Sequence, residues 1–145
     1  MLDDFSQCMV GNTRKAARAV TRRYDAYLRP YGMTSTQFSL LGGVGMMPGA
    51  TVSEIAEERG FDRTTLTRNL DRLEAMGLVQ SRHREHSNAR LPQLTAKGHA
   101  LVDQLVPLWR KAQADLGAEL GSAGFTDALG ALERLSKLQP KEPTQ

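Results

Sequence analysis

Residues 51–77 read TVSEIAEERGFDRTTLTRNLDRLEAMG, and the fold turns on this stretch. Thr51 with Glu54 three positions later has the form of a capping box, so a helix starts there and runs to about Arg59, where Gly60 stops it. Asp62 is placed to cap a second helix from Arg63 to Met76, and Gly77 stops that one. Ile55 and Ala56 before the break, and Leu66, Leu70 and Leu73 after it, supply the faces that meet. A small residue at Ala56 lets the second helix cross close over the first, and Gly60 adopts the turn without steric strain. Two short helices joined by a tight glycine-containing turn form a helix-turn-helix.

If Leu66, Leu70 and Leu73 point inward, helical geometry turns Thr64, Arg68, Asp71 and Arg72 outward, with Thr65 and Thr67 on the flanks. Arginine can bond guanine bidentately and threonine can offer its hydroxyl or its methyl. Arg63, Thr64, Thr65, Thr67, Arg68 and Arg72 therefore fit a helix that reads the major groove of DNA. The competing reading is a solvated polar face, which would more often carry Glu and Lys.

Two short strands follow, Val79 to Arg84 and Arg90 to Leu94, around the turn-like Glu85-His86-Ser87-Asn88. Arg82, Arg84 and Arg90 on this hairpin are candidates for phosphate or minor-groove contact, which gives affinity without sequence choice. His83 and His86 lack a third ligand nearby in sequence, so no metal site is expected.

Upstream, Met9, Thr13, Ala16, Val20, Tyr24, Tyr27 and Tyr31 form one stripe of a long helix whose other face carries arginines. Pro30 and Gly32 end it, and Thr34 with Gln37 caps a helix from Ser35 to about Met46. Downstream, Thr95 caps a long helix from Ala96. Leu101, Leu105, Leu108, Ala112 and Leu116 make one stripe there; Val102, Val106 and Trp109 make a second. Glycines at 117, 121 and 124 precede a final helix marked by Phe125, Leu129, Leu132 and Leu135.

The fold expected is mainly α: a winged helix-turn-helix with a two-stranded β-wing and additional helices at both ends. The division expected is 1–47 for N-terminal helices, 48–95 for the DNA-binding lobe and 96–145 for C-terminal helices. At 145 residues with 40% apolar content the chain can bury one core, and its +3 net charge leans only weakly toward acidic partners. No apolar run is long enough to span a bilayer and no secretory segment is visible, so a cytoplasmic location is expected. Cys8 is the single cysteine, which excludes an intramolecular disulfide. No resolving cysteine, Ser/His/Asp arrangement or phosphate-binding glycine loop is visible. An enzyme, of which a Cys8 thiol peroxidase is the most plausible kind, thus ranks behind a DNA-binding protein, and no cofactor is expected.

Across nearly its whole length the chain resembles the MarR family of winged helix-turn-helix regulators. The segments that carry the resemblance are Arg18 to Arg22, Thr36 to Leu41, Val52 to Ala56, Asp62 to Arg68, Leu73-Glu74 with Gly77-Leu78-Val79, and Leu94 to Gly98. The resemblance implies a homodimer built on the terminal helices, reading a pseudo-palindromic operator in double-stranded DNA. It further implies a repressor released by a small molecule or an oxidant. Tyr24, Tyr27, Phe38 and Trp109 are the candidate walls of a ligand pocket, though aromatics at helical spacing are more often ordinary core. Some family members sense peroxide through a first-helix cysteine, which makes Cys8 a candidate redox sensor. Its spacing to Tyr24 and Thr34 differs from theirs, and a passive thiol is the better reading. The family's usual Asp-x-Arg at the wing tip is replaced here by His86-Ser87-Asn88, so Arg84 or Arg90 would have to supply any minor-groove contact. A winged-helix interaction module that has lost DNA binding is the remaining alternative.

Overall fold

The structure, a computed structural model, describes residues 2–141. A 3-10 turn, Leu2–Gln7, leads into α1 (Met9–Leu28), and a second such turn, Arg29–Tyr31, precedes α2 (Ser35–Met46). Helices α3 (Val52–Arg59) and α4 (Arg63–Ala75) come next, then strands β1 (Val79–His83) and β2 (Arg90–Leu94), then α5 (Ala96–Ser136).

The boundaries come from local chemistry. Capping boxes open α2 and α3: the amide of Gln37 donates to the Thr34 hydroxyl at 3.1 Å and that of Glu54 to the Thr51 hydroxyl at 3.2 Å. Gln37 and Glu54 return the bond to the cap amides at 3.1 and 2.7 Å. The first stripe of α1 ends three residues earlier than its spacing suggests, because Pro30 closes the segment in a tighter turn and Gly32 takes φ 69.

The chain divides into two compact units, Met1–Trp109 and Arg110–Gln145. In the first, Leu28 of α1, Leu40, Leu41 and Val44 of α2, Ile55 of α3, Leu66, Leu70 and Leu73 of α4, and Leu105 of α5 share one core. The expected segments 1–47 and 48–95 thus pool their apolar side chains. Of the α1 stripe, Tyr24 and Tyr27 are half-buried, while Met9, Thr13, Ala16, Val20 and Tyr31 are exposed in the single chain.

The hairpin meets α5 at a tight junction. Thr95 accepts the Gly98 amide at 3.0 Å, donates its hydroxyl to the Gly77 carbonyl at 2.7 Å, and bonds the Leu78 carbonyl through its own amide at 3.1 Å. A Cβ at Gly98 would stand 2.1 Å from the Leu78 carbonyl oxygen, which accounts for glycine there.

In the second unit α5 continues to Ser136, with the helix broken at Gly121 (φ 75, ψ 156). The glycine group in the sequence anticipated this break. Leu120, Leu129 and Leu132 are exposed.

Candidate nucleic-acid interface

Helix α4 is held in place from its first turn. The Thr65 amide donates to Asp62 Oδ1 at 2.8 Å, and the Thr65 hydroxyl donates to Asp62 Oδ2 at 2.6 Å. Gly60, at φ 70, closes α3 in the left-handed conformation expected of it. Leu66, Leu70 and Leu73 are all 1% exposed or less, so the inward face is fixed.

Opposite that face, Arg63, Thr64, Arg68, Asp71 and Arg72 are exposed, with Thr67 half-buried beside them. Arg63, Thr64, Thr67, Arg68, Asp71 and Arg72 line one shallow groove along the helix. Thr65, half-buried on the flank of that face, also serves the cap through its hydroxyl.

Those cap bonds hold the Asp62 carboxyl below the ordinary Asp range, the side-chain bond from Thr65 contributing most. A carboxylate lowered in the folded state gives stability that is present above its unfolded value and lost as pH falls through the folded one. Asn also caps helices but does not titrate. Asp62→Asn should therefore keep the helix at neutral pH while flattening the acid side of a Tm-against-pH curve. An acid limb as steep as the parent's would mean the cap is not the titrating group.

The hairpin divides its arginines. Pairing runs Val79↔Leu94, Gln80↔Gln93, Ser81↔Pro92, Arg82↔Leu91 and His83↔Arg90. Alternation then puts Ser81 and Arg90 on one face and Arg82 on the other. Arg82 is exposed, as is Arg84, whose amide bonds the Ala89 carbonyl at 3.0 Å. The positive field of Arg84 is also a minor influence lowering the Glu54 carboxyl, behind the Thr51 hydrogen bonds. Arg90 departs from expectation. Its guanidinium pairs with Asp71 and with Glu74, each at 2.9 Å, and its Nε donates to the Ser81 hydroxyl at 3.0 Å. The Ser81 hydroxyl in turn donates to Glu74. Arg90 is thus taken up within the protein, on the sheet face toward α4. His86, at the wing tip, has φ 58.

Within the first unit a cavity of about 700 Å³ is lined by Val20, Tyr24, Phe38, Val102, Val106 and Trp109, among others. Three of the four aromatic candidates therefore share it; Tyr27 does not line it. The second stripe of α5 faces this space. Sequence reasoning missed the polar residues on its wall, among them Arg59, His99, Thr21 and Ser39. Arg59 lies along α2, donating to the Ser39 hydroxyl at 3.5 Å, and Gly43 makes room for it: a Cβ there would come within 3.1 Å of Arg59 Cγ. Burial pushes the Tyr24 phenol up, so it stays protonated at neutral pH. Cys8 stands half-buried at the start of α1. Among the described residues no group of three His, Cys, Asp or Glu side chains is placed to hold a metal ion.

These features have counterparts in known proteins. A model of the MarR family matches residues 31–87, from the turn after α1 through the wing tip. A crystal structure of the transcriptional regulator MosR of M. tuberculosis is 38% identical, covers 92% of this chain and 98% of its own, and superposes with a TM-score of 0.78. The chain belongs to the MarR family. MosR has also been solved in complex with DNA; that structure covers 90% of this MarR-family chain and 99% of its own, with 38% identity and a TM-score of 0.72. An uncharacterized HTH-type transcriptional regulator of Bacillus subtilis, YwoH, is 26% identical over 111 residues, 77% of this chain and 81% of that protein. These relatives are transcriptional regulators, which sets aside the thiol-peroxidase reading of Cys8. The winged helix-turn-helix is the fold they share with it.

Proposed function

We propose that this MarR-family regulator is a homodimeric repressor that binds a pseudo-palindromic DNA operator and is released by a small molecule or an oxidant. One observation carries the reading: a capped, buried-backed helix presents Thr64, Thr67, Arg68 and Arg72 outward along a single groove. Arg63 at the start of that helix and Arg82 and Arg84 on the wing would meet phosphates beside the groove it enters. The wing-tip sequence lacks the family's usual arginine, so Arg84 takes that task in this reading.

Pairing of two chains is supported by apolar side chains left in water. Phe5, Met9 and Val10 are 73%, 62% and 64% exposed at one end of the chain, and Leu129 and Leu132 are 51% and 53% exposed near the other. A twofold dimer would set two reading helices about one DNA turn apart, as half-site recognition requires. Segments 1–47 and 96–145 would make that dimer, with 48–95 as the DNA-binding lobe. The cytoplasm is where such a protein meets its operator, and no described helix is long and apolar enough to cross a membrane.

Release by a small molecule is favoured over oxidation of Cys8. The cavity combines apolar walls with a guanidinium, Arg59, and the Tyr24 phenol, the mixture by which pockets hold and orient ligands.

Selecting bound duplexes from a random pool tests the proposal. The expected winner is an inverted repeat bound by a dimer, with affinity falling steeply as salt rises because counterions are released from each neutralised phosphate. Screening metabolites and oxidants against that duplex then finds the releasing agent. Recovery of no preferred sequence across a range of salt would favour the interaction-module reading.

A further inference from the structure

We infer that Arg90 is a positioning residue, the clasp that fixes the wing against the reading helix, and that its charge is withheld from DNA. The inference rests on the reading above in which Arg82 and Arg84 meet DNA.

A two-stranded hairpin has little stability of its own and needs a partner to hold its angle. Here the strand face carrying Val79, Ser81, Arg90 and Pro92 lies toward α4, and Val79 and Pro92 are buried. Beyond those apolar contacts the link is polar. One guanidinium bridges Asp71 and Glu74, one helical turn apart on α4, and also bonds Ser81 across the strands. Ser81 is itself bonded to Glu74, so helix, β1 and β2 meet in a closed set of charge-assisted bonds. Arg90 has a side chain only 19% exposed, against 63% for Asp71 and 30% for Glu74, so the cation is enclosed by its partners. A planar fork of donors can serve three acceptors in this way; the single ammonium of lysine presents no such fork.

The cluster carries one positive and two negative groups, next to a helix that would lie among phosphates. As a passive surface feature this excess of negative charge would oppose binding, and removing it would tighten the complex. As a clasp it has the opposite effect, because losing it lets the wing drift and takes Arg82 and Arg84 out of reach of the backbone. The sign of the effect therefore separates the two.

The test measures affinity for the selected operator, at fixed salt, of the full-length parent, Glu74→Gln, Arg90→Gln, the pair Arg82→Ala/Arg84→Ala, and that pair combined with Arg90→Gln. Glu74→Gln is expected to weaken binding by roughly tenfold. Arg90→Gln should weaken it similarly, and the arginine pair should then cost much less in that background than in the parent. Thermal melts identify any variant whose loss is simple unfolding, and Glu74→Gln, which keeps the shape of the side chain but loses its charge and one of its two acceptor oxygens, is the one expected to remain folded. Unchanged or tighter binding by Glu74→Gln overturns the clasp. So does a full, additive loss from the arginine pair in the Arg90→Gln background. A pair without effect in the parent itself would instead remove the wing from the DNA-contact reading, and the clasp with it.

Discussion

Arg68→Ala is expected to weaken operator binding by about 1–3 kcal/mol, roughly five- to 150-fold, and to relax base preference at one position in each half-site. Arg68 lies in the second turn of α4, exposed, on the groove it shares with Thr64 and Arg72. Among the described residues its guanidinium has no carboxylate partner, in contrast to Arg90, so its donors are available to a guanine edge. Alanine is the best helix former, and the mutation should leave the melting curve nearly unchanged. Fluorescence anisotropy on the selected duplex and on single-base variants of it would show the change. A uniform loss across all duplexes, with a shallower salt dependence, would make Arg68 a phosphate contact and leave base reading to Thr64, Thr67 and Arg72.

Leu70→Ala is the largest expected loss of stability, about 2–5 kcal/mol in chemical denaturation. Leu70 is 0% exposed and belongs to the core that joins α1 to α5. Removing it empties space directly behind the reading face, which Leu66, Leu70 and Leu73 back and the Asp62 cap anchors at its start. DNA binding should fall in step with the folded fraction and recover at lower temperature. A change below about 0.5 kcal/mol would contradict the packing that aims α4 outward.

Much of this architecture was legible because helix ends and hairpin turns are written in local chemistry. Thr34 with Gln37, Thr51 with Glu54 and Asp62 with Thr65 form caps whose members lie within three residues of each other. Gly60 and Gly121 adopt the positive φ that broke the helices in the sequence reading. Orientation of α4 was also legible, since three leucines at helical spacing leave only one face for water.

The candidate site was less fully legible. Thr65 reads as a groove contact from its residue type, and only the structure shows that its hydroxyl also bonds Asp62. Tyr27 shares the α1 stripe with Tyr24 yet does not line the cavity, because a stripe describes one helix and a cavity wall depends on what stands opposite. Arg59 went unnoticed as a wall residue for the same reason. Nothing within α3 announces that Gly43 of α2 leaves room for its side chain.

What the chain determined alone was each element, its caps and the side it turns to water, because these follow from backbone geometry and from neighbours a few bonds away. Which distant groups meet was decided only by the tertiary arrangement. Arg82 and Arg90 are the same residue type on one hairpin, and pairing register together with the approach of α4 gave one to solvent and the other to Asp71 and Glu74. Charge acts through distance, and distance between residues far apart in sequence exists only once the core has closed.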